Sequence, residues 1–169
     1  MKDVRRCLFI LFLPLVVTTG GCSYSFTGAS IAPEVKTFSV DYFPNFTQLG
    51  PPLLSQLFTE KLKDLFLAQT SLKLVERNGD LRFEGKITNY RTAPVAIQAN
   101  DKAASNRLTI TVLVKFINTN DSKQNFETSF SRFADYESGV SLASVENELI
   151  DAINEQLAQD IFNKSVSNW

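Results

Sequence analysis

Two neighbouring runs of alternating residues constrain the fold of this chain more than any other feature. In the run from Leu81 to Tyr90, apolar residues and Gly85 alternate with charged and hydroxyl-bearing ones. In the run from Asn106 to Ile117, every second residue between Leu108 and Phe116 is apolar. Successive side chains of a strand point to opposite faces of a sheet, so this period of two predicts two half-buried strands. We expect them to form the middle of one sheet.

Further elements are predicted on both sides of this pair. A first strand alternates from Phe38 to Tyr42, and a last strand begins at Phe126 and continues toward Tyr136. The Asn78-Gly79 pair predicts a hairpin turn that leads into the first run. Pro94 cannot donate a backbone hydrogen bond, so the segment 93–97 is predicted to be an edge or a bend rather than a central strand.

Two amphipathic helices are predicted, one after Gly50 and one after Gly139. In the first, which ends at about Ala68, the apolar positions recur at spacings of three and four; they are Leu54, Leu57, Phe58, Leu62, Leu65 and Phe66. In the second, the apolar side comprises Val145, Leu149, Ile150, Ile153, Leu157, Ile161 and Phe162. Its polar side comprises Asn147, Asp151, Asn154, Glu155 and Gln159.

The N-terminus reads as a secretion signal. Residues 1–21 combine a basic start, an apolar run from Cys7 to Val17 that is too short to span a bilayer, and small residues. Gly20, Gly21 and Cys22 resemble the lipobox of bacterial lipoproteins, although Thr19 stands where a leucine is usual. By that resemblance Cys22 is acylated and becomes the first residue. The domain prediction is a signal peptide at 1–21, a lipidated tether at 22–33 and a single α/β sandwich domain at 34–169.

An alternative for Cys22 is a free or disulfide-bonded thiol in an ordinary secreted protein. Cys7 lies in the segment to be removed, so the mature chain keeps a single cysteine without an internal partner, which favours acylation. An aspartate directly after the lipidated cysteine resembles a signal for retention in the inner membrane. This chain has Ser23 at that position instead. No acidic cluster follows Cys22. These features favour the periplasmic side of the outer membrane.

Composition argues against several classes of function. The chain has no histidine, which excludes His-dependent hydrolases and His-ligated zinc sites. No Gly-x-Ser-x-Gly elbow occurs, and the acidic pairs lie on predicted water-facing helix surfaces. A formal charge of -1 without a lysine-rich run argues against nucleic acid as a partner. We therefore predict a protein that is not an enzyme and has no cofactor or metal.

A group of polar residues marks one end of the central strand pair. Tyr90 and Arg91 end the first run, Lys102 lies in the connection, and Arg107 begins the second run. Guanidinium and ammonium groups in such a cluster are suited to bind phosphate. The alternative is a solvated strand end with no ligand.

Several segments, in this order and spacing, carry a resemblance to a known family. They are Gly79–Tyr90, Ala93–Ile97, Asn106–Val112, Phe130–Tyr136, Asp160–Lys164 and Trp169. With the N-terminal signal, they make the chain resemble the lipopolysaccharide-assembly lipoprotein family LptE, in particular its Bacteroidetes branch. The segments run through most of the mature chain, and none is diagnostic by itself.

The resemblance implies both a fold and a function. The implied fold is α+β, with two helices packed on one face of a four-stranded, mostly antiparallel sheet in the order β-α-β-β-β-α, as the periodicity also predicts. The implied function is an outer-membrane lipoprotein that plugs and helps assemble an LptD-type β-barrel and aids insertion of lipopolysaccharide into the outer leaflet. On their chemistry alone, and not by alignment with the family, Arg91, Lys102 and Arg107 are candidate lipopolysaccharide contacts. The alternative is a periplasm-facing lipoprotein that serves as a general interaction module of another envelope assembly machine.

Overall fold

The computed structural model describes residues 31–95 and 105–166, so the predicted signal peptide, most of the tether and the connection with Lys102 lie outside the described residues. Five strands and two α-helices follow one another along the described chain. They are β1 (Thr37–Val40), α1 (Leu54–Gln69), β2 (Lys73–Leu74), β3 (Leu81–Pro94), β4 (Ser105–Asn118), β5 (Phe126–Glu137) and α2 (Leu142–Val166). The α+β class and its two helices are confirmed.

The sheet differs from the predicted one in strand number and direction. Its order is β2-β1-β3-β4-β5, with β1 parallel to both β2 and β3, while β3, β4 and β5 pair antiparallel. The prediction of four mostly antiparallel strands is therefore wrong: the sheet has five strands and is mixed. Strand β2 is only two residues long, too short for a periodic pattern. Because β1 lies between β2 and β3, Asn78-Gly79 closes no hairpin; Asn78 instead adopts a φ of 56° in the loop before β3.

Phenylalanine side chains fill the space between the sheet and the helices. Phe66 of α1 contacts Phe38 of β1 and Phe83 of β3, with ring centroids 5.4 and 4.7 Å apart. Phe83 contacts Phe116 of β4 at 5.1 Å, and Phe66 also contacts Phe162 of α2 at 5.0 Å. The inward positions predicted for the two central strands are buried here, so one connected core joins three strands and both helices.

Two helix positions do not lie where the patterns put them. Leu57, predicted in the apolar stripe of the first helix, is 44% exposed, whereas Leu54 and Phe58 beside it are fully buried. Asn154, predicted on the polar side of the second helix, is 1% exposed, and its Oδ1 has no hydrogen-bond partner among the described residues. Asn154 is buried in a helix that packs against α1 as well as against the sheet, whereas Leu57 lines an open groove between the two helices.

The two ends of the sheet carry different parts of the chain. Ile31, Leu81 and Val166 lie together at one end, which we call the tether end. Strand β3 ends and β4 begins at the other, which we call the hairpin end. Strand β3 has 14 residues, so at a rise of about 3.3 Å per residue the two ends are about 45 Å apart.

Asp80 fastens the start of β1 to the loop before β3. Its Oδ2 accepts hydrogen bonds from the Lys36 amide at 2.8 Å and from the Thr37 amide and hydroxyl, both at 2.9 Å. These bonds, that of Lys36 foremost, hold the pKa of the Asp80 carboxyl below its usual value. A carboxyl with a lowered pKa in the folded state stabilises the fold above its unfolded pKa of about 3.9. That stabilisation is lost as the pH falls through the folded pKa.

We expect Asp80→Asn to lower the free energy of unfolding by about 1–2 kcal/mol at pH 7, because the half-buried carboxylate accepts three bonds. The difference from wild type should shrink as the pH approaches the folded pKa. Urea unfolding at pH 7 and at pH 3 measures both effects. Glu76→Gln, which removes an exposed acid of the same loop, is the control. A loss of equal size at both pH values would contradict the role of the charge.

Candidate functional site

The outer face of the sheet, opposite the helices, holds a shallow pocket at the hairpin end. Its volume is about 350 Å³, and it is lined by Asn89, Arg91, Ala93, Pro94, Val95, Arg107 and Thr109. The antiparallel register puts Arg91 opposite Thr109 and Ala93 opposite Arg107. Arg91 and Arg107 therefore share one pocket, as their predicted cluster requires. Lys102, the third candidate, lies outside the described residues.

Arg107 is held by two residues of β5. Its Nε and Nη2 donate to the two carboxylate oxygens of Asp135 at 2.7 and 2.8 Å, and its guanidinium lies 3.6 Å from the ring centroid of Phe133. The bonds between them raise the pKa of Arg107 and lower that of Asp135. Solvent screens an exposed pair of this kind, so it contributes little to stability. Its effect is to fix the direction of Arg107 and to compensate its charge.

Arg91 differs from Arg107 in its surroundings. It is exposed, and within residues 31–95 and 105–166 no carboxylate lies within ion-pair distance of it. A guanidinium presents a planar set of donors that suits a phosphate or carboxylate. Of the two arginines in the pocket, Arg91 is therefore the one whose charge is available to a ligand.

Tyr90 does not belong to the pocket. It points to the opposite face of β3, is 5% exposed, and its hydroxyl donates to Oε1 of Glu146 at 2.5 Å. Burial, and then the bond to Glu146, raise the pKa of the Tyr90 phenol. Tyr90 thus ties β3 to the first turns of α2 and plays a structural part, which corrects its place in the predicted cluster.

The rest of the outer sheet face is mostly polar, although Leu113 and Ile117 of β4 also lie on it. Thr111 and Ser131 share a hydroxyl–hydroxyl hydrogen bond of 3.0 Å, and Lys115 pairs with Glu84 at 3.4 Å. Phe133, 48% exposed, is the large apolar exception in β5. Sequence reasoning did not find Phe133 or Asp135, because their meeting with Arg107 depends on the register between β4 and β5.

Two further properties bear on the chemistry of the described residues. In these two segments, no three or more acidic or cysteine side chains come together in a way that could hold a metal ion. Neither α1 nor α2 is both long enough and apolar enough to cross a membrane. The geometry of the pocket supports the binding of an anion through Arg91.

A family model described as "LptE: Lipopolysaccharide-assembly" matches residues 35–165, which include every strand and nearly all of α2. No curated protein matches the sequence. The family match therefore covers the described domain and does not include the predicted N-terminal signal.

Solved structures share the fold at low sequence identity. A minor lipoprotein from Acinetobacter baumannii superposes with a TM-score of 0.52 at 16% identity, covering 77% of this chain and 91% of that one. The hypothetical protein CT253 from Chlamydia trachomatis gives a TM-score of 0.53 at 9% identity, with 79% and 99% covered. A putative neuraminyllactose-binding hemagglutinin homolog from Helicobacter pylori gives 0.51 at 9% identity, with 83% and 88% covered. At these identities the likeness is one of fold.

Proposed function

Because the chain belongs to the LptE family of lipopolysaccharide-assembly proteins, we propose that it is an outer-membrane lipoprotein that plugs and helps assemble an LptD-type β-barrel translocon. In this role it aids the insertion of lipopolysaccharide into the outer leaflet. A signal peptide at 1–21 directs export, and acyl chains on Cys22 hold the protein on the periplasmic side. The observation that carries the proposal is the family match over residues 35–165.

The outer sheet face supports a position inside a barrel. The lumen of a large outer-membrane barrel is polar and wet, so a protein seated in it must present hydroxyl and charged groups. The face that carries Thr111, Ser131, Lys115 and Glu84 meets this requirement. The continuous phenylalanine core behind it makes the domain a solid body that can fill space without a catalytic step.

Arg91 is proposed as the principal contact with the phosphate groups of lipopolysaccharide, with Arg107 and Lys102 as further contacts. Phosphate oxygens accept charge-assisted hydrogen bonds from guanidinium groups. Among residues 31–95 and 105–166 Arg91 has no carboxylate partner, whereas Arg107 must share its donors with Asp135. Asn89 and Thr109 add an amide and a hydroxyl to the same lining.

We expect Arg91→Ala to weaken the binding of purified lipopolysaccharide about tenfold, and Arg107→Ala to weaken it less. Both variants should keep the thermal stability of the wild type, because surface charges contribute little to it. Calorimetric titration at low and moderate salt measures the affinity. Lys115→Ala, which removes a paired cation from the same sheet face, is the matched control. Equal losses for Arg91→Ala and Lys115→Ala would show a general charge effect and contradict the site.

The partnership is tested by extracting the tagged, acylated protein from membranes in mild detergent and identifying what is purified with it. We expect a large outer-membrane β-barrel, and we expect depletion of the protein to reduce lipopolysaccharide at the cell surface. An untagged strain is the control. If a different envelope assembly complex is captured and surface lipopolysaccharide is unaltered, the plug function is refuted and the general interaction module is supported.

A further inference from the structure

The connection between β1 and α1, with the first turns of α1, is an uncharged and strongly apolar segment. Charged residues of other parts of the fold border its two ends, where Tyr42 shares a pocket with Glu84 and Leu57 shares one with Asp151. No Asp, Glu, Lys or Arg occurs between Asp41 and Glu60, although charged residues make up 21% of the chain. Five large apolar side chains in this segment are exposed, and we call them the apolar ridge. They are Tyr42 (61% exposed), Phe46 (69%), Leu49 (76%), Leu53 (62%) and Leu57 (44%).

The ridge is held in place by the fold. The Phe46 amide donates to the Ile87 carbonyl at 3.0 Å, which attaches the segment to β3. The Thr47 amide and hydroxyl donate to Oδ1 of Asn45 at 2.9 and 2.6 Å and shape the turn. Phe43, which follows the exposed Tyr42, is fully buried. The exposure of the ridge is therefore a property of the folded domain.

The ridge lies within reach of the membrane anchor proposed above. The described chain starts at Ile31, at the tether end, where Leu81 also lies. Phe46 is bonded to Ile87, six residues farther along β3, which is about 20 Å at the usual strand rise. Cys22 lies nine residues before Ile31, and such a length spans at most about 30 Å. A domain tethered in this way can lay its ridge on the bilayer.

We propose that the apolar ridge inserts into the surface of the membrane that carries the anchor and holds the domain against the lipid before it meets its partner. Membrane-interface segments combine Leu and aromatic side chains with uncharged polar ones, as this segment does. The Lys86 ammonium lies 5.4 Å from the Phe46 ring and is placed to meet a lipid phosphate. The role goes beyond the proposed plug function, but it rests on the acylation of Cys22.

Site-directed spin labelling of the full mature, acylated chain tests this. Removal of Cys7 and acylation of Cys22 leave an introduced cysteine as the single thiol. Leu49→Cys places the label on the ridge, and Ser129→Cys places it on the exposed outer face of the sheet. In vesicles of phosphatidylethanolamine and phosphatidylglycerol, we expect the label at 49 to be accessible to oxygen and protected from a water-soluble nickel complex. We expect the reverse at 129.

The expected insertion persists in 1 M NaCl, because the segment between Asp41 and Glu60 has no charge to screen and salt weakens only the contact of Lys86 with phosphate. Equal nickel accessibility at 49 and 129 would overturn the proposal. So would a label at 49 that stays in water on vesicles and becomes protected only when the barrel partner is added, since the ridge would then be a protein interface. Mass spectrometry of Cys22 tests the anchor separately, so a missing acyl chain and a water-exposed ridge are distinguishable.

Discussion

Replacing Gly85 by alanine is expected to destabilise the fold by about 3 kcal/mol, the upper part of the usual range for overpacking. A Cβ at this position would lie 2.1 Å from the Leu113 carbonyl oxygen and 2.6 Å from Cε1 of Phe43. Leu113 belongs to β4, whose backbone is fixed by pairing on both sides. Because that oxygen cannot yield, either the β3–β4 ladder opens locally or the Phe43 ring leaves the core.

Thermal and urea unfolding of Gly85→Ala measure this loss, which for a domain of this size corresponds to a fall in Tm of roughly 10 °C. Gly139→Ala is the matched control, because a Cβ at Gly139 would meet nothing within 4 Å. The same change of residue is expected to leave stability within about 0.5 kcal/mol there. Similar Tm values for the two variants would show that β3 and β4 are not packed as described at Gly85.

Replacing Cys22 by alanine is expected to move nearly all of the protein from the membrane to the soluble fraction. Two or three acyl chains bind a bilayer firmly, since each buried methylene contributes about 0.8 kcal/mol. Without them, the apolar ridge remains as a reversible contact, which washing removes. Surface lipopolysaccharide should fall with the loss of the anchor, because the protein then reaches its membrane partner only by diffusion.

Fractionation of cells after a carbonate wash, followed by mass spectrometry of the N-terminal peptide, measures the effect of Cys22→Ala. Cys7→Ala is the matched control, because this cysteine lies in the segment that is predicted to be removed, and its loss should leave the protein in the membrane. If the Cys22→Ala protein stays in the washed membrane, or if the mature chain carries an unmodified thiol at this position, the lipoprotein proposal is wrong.

Sequence periodicity predicts the long elements of this fold well and the short ones poorly. Strand β4 alternates from Leu108 to Asn118, and strand β3 alternates from Leu81 to Ile87, where a register shift between Ile87 and Asn89 interrupts the period. The pattern therefore identifies both strands and most of their buried face. Strand β2 has two residues, and the parallel pairing of β1 is a property of chain topology, which no local pattern encodes. The predicted burial of Leu57 and the predicted exposure of Asn154 were wrong, because a helical wheel identifies the faces of a helix but does not say what packs against each face.

The candidate site, too, was predicted only in part from the sequence. Arg91 and Arg107 could be brought together from the sequence, because two adjacent antiparallel strands must place the residues near their connection side by side. The partners of Arg107 could not be predicted from the sequence. A register shift of one residue between β4 and β5 would exchange Asp135 and Phe133 for residues of the other face. The uncharged segment between Asp41 and Glu60 was visible in the sequence, but only the fold shows which of its side chains are left outside.

The distance between the tether end and the hairpin end limits how far from the membrane anchor Arg91 can lie. A span of about 45 Å exceeds the hydrocarbon thickness of a bilayer, which is about 30 Å. A domain anchored at the inner surface and standing upright in a pore would therefore lift Arg91 past the midplane to the height of the opposite headgroups. The same domain lying flat would keep Arg91 on the anchored side, so the tilt of a rigid body decides which leaflet this arginine can touch.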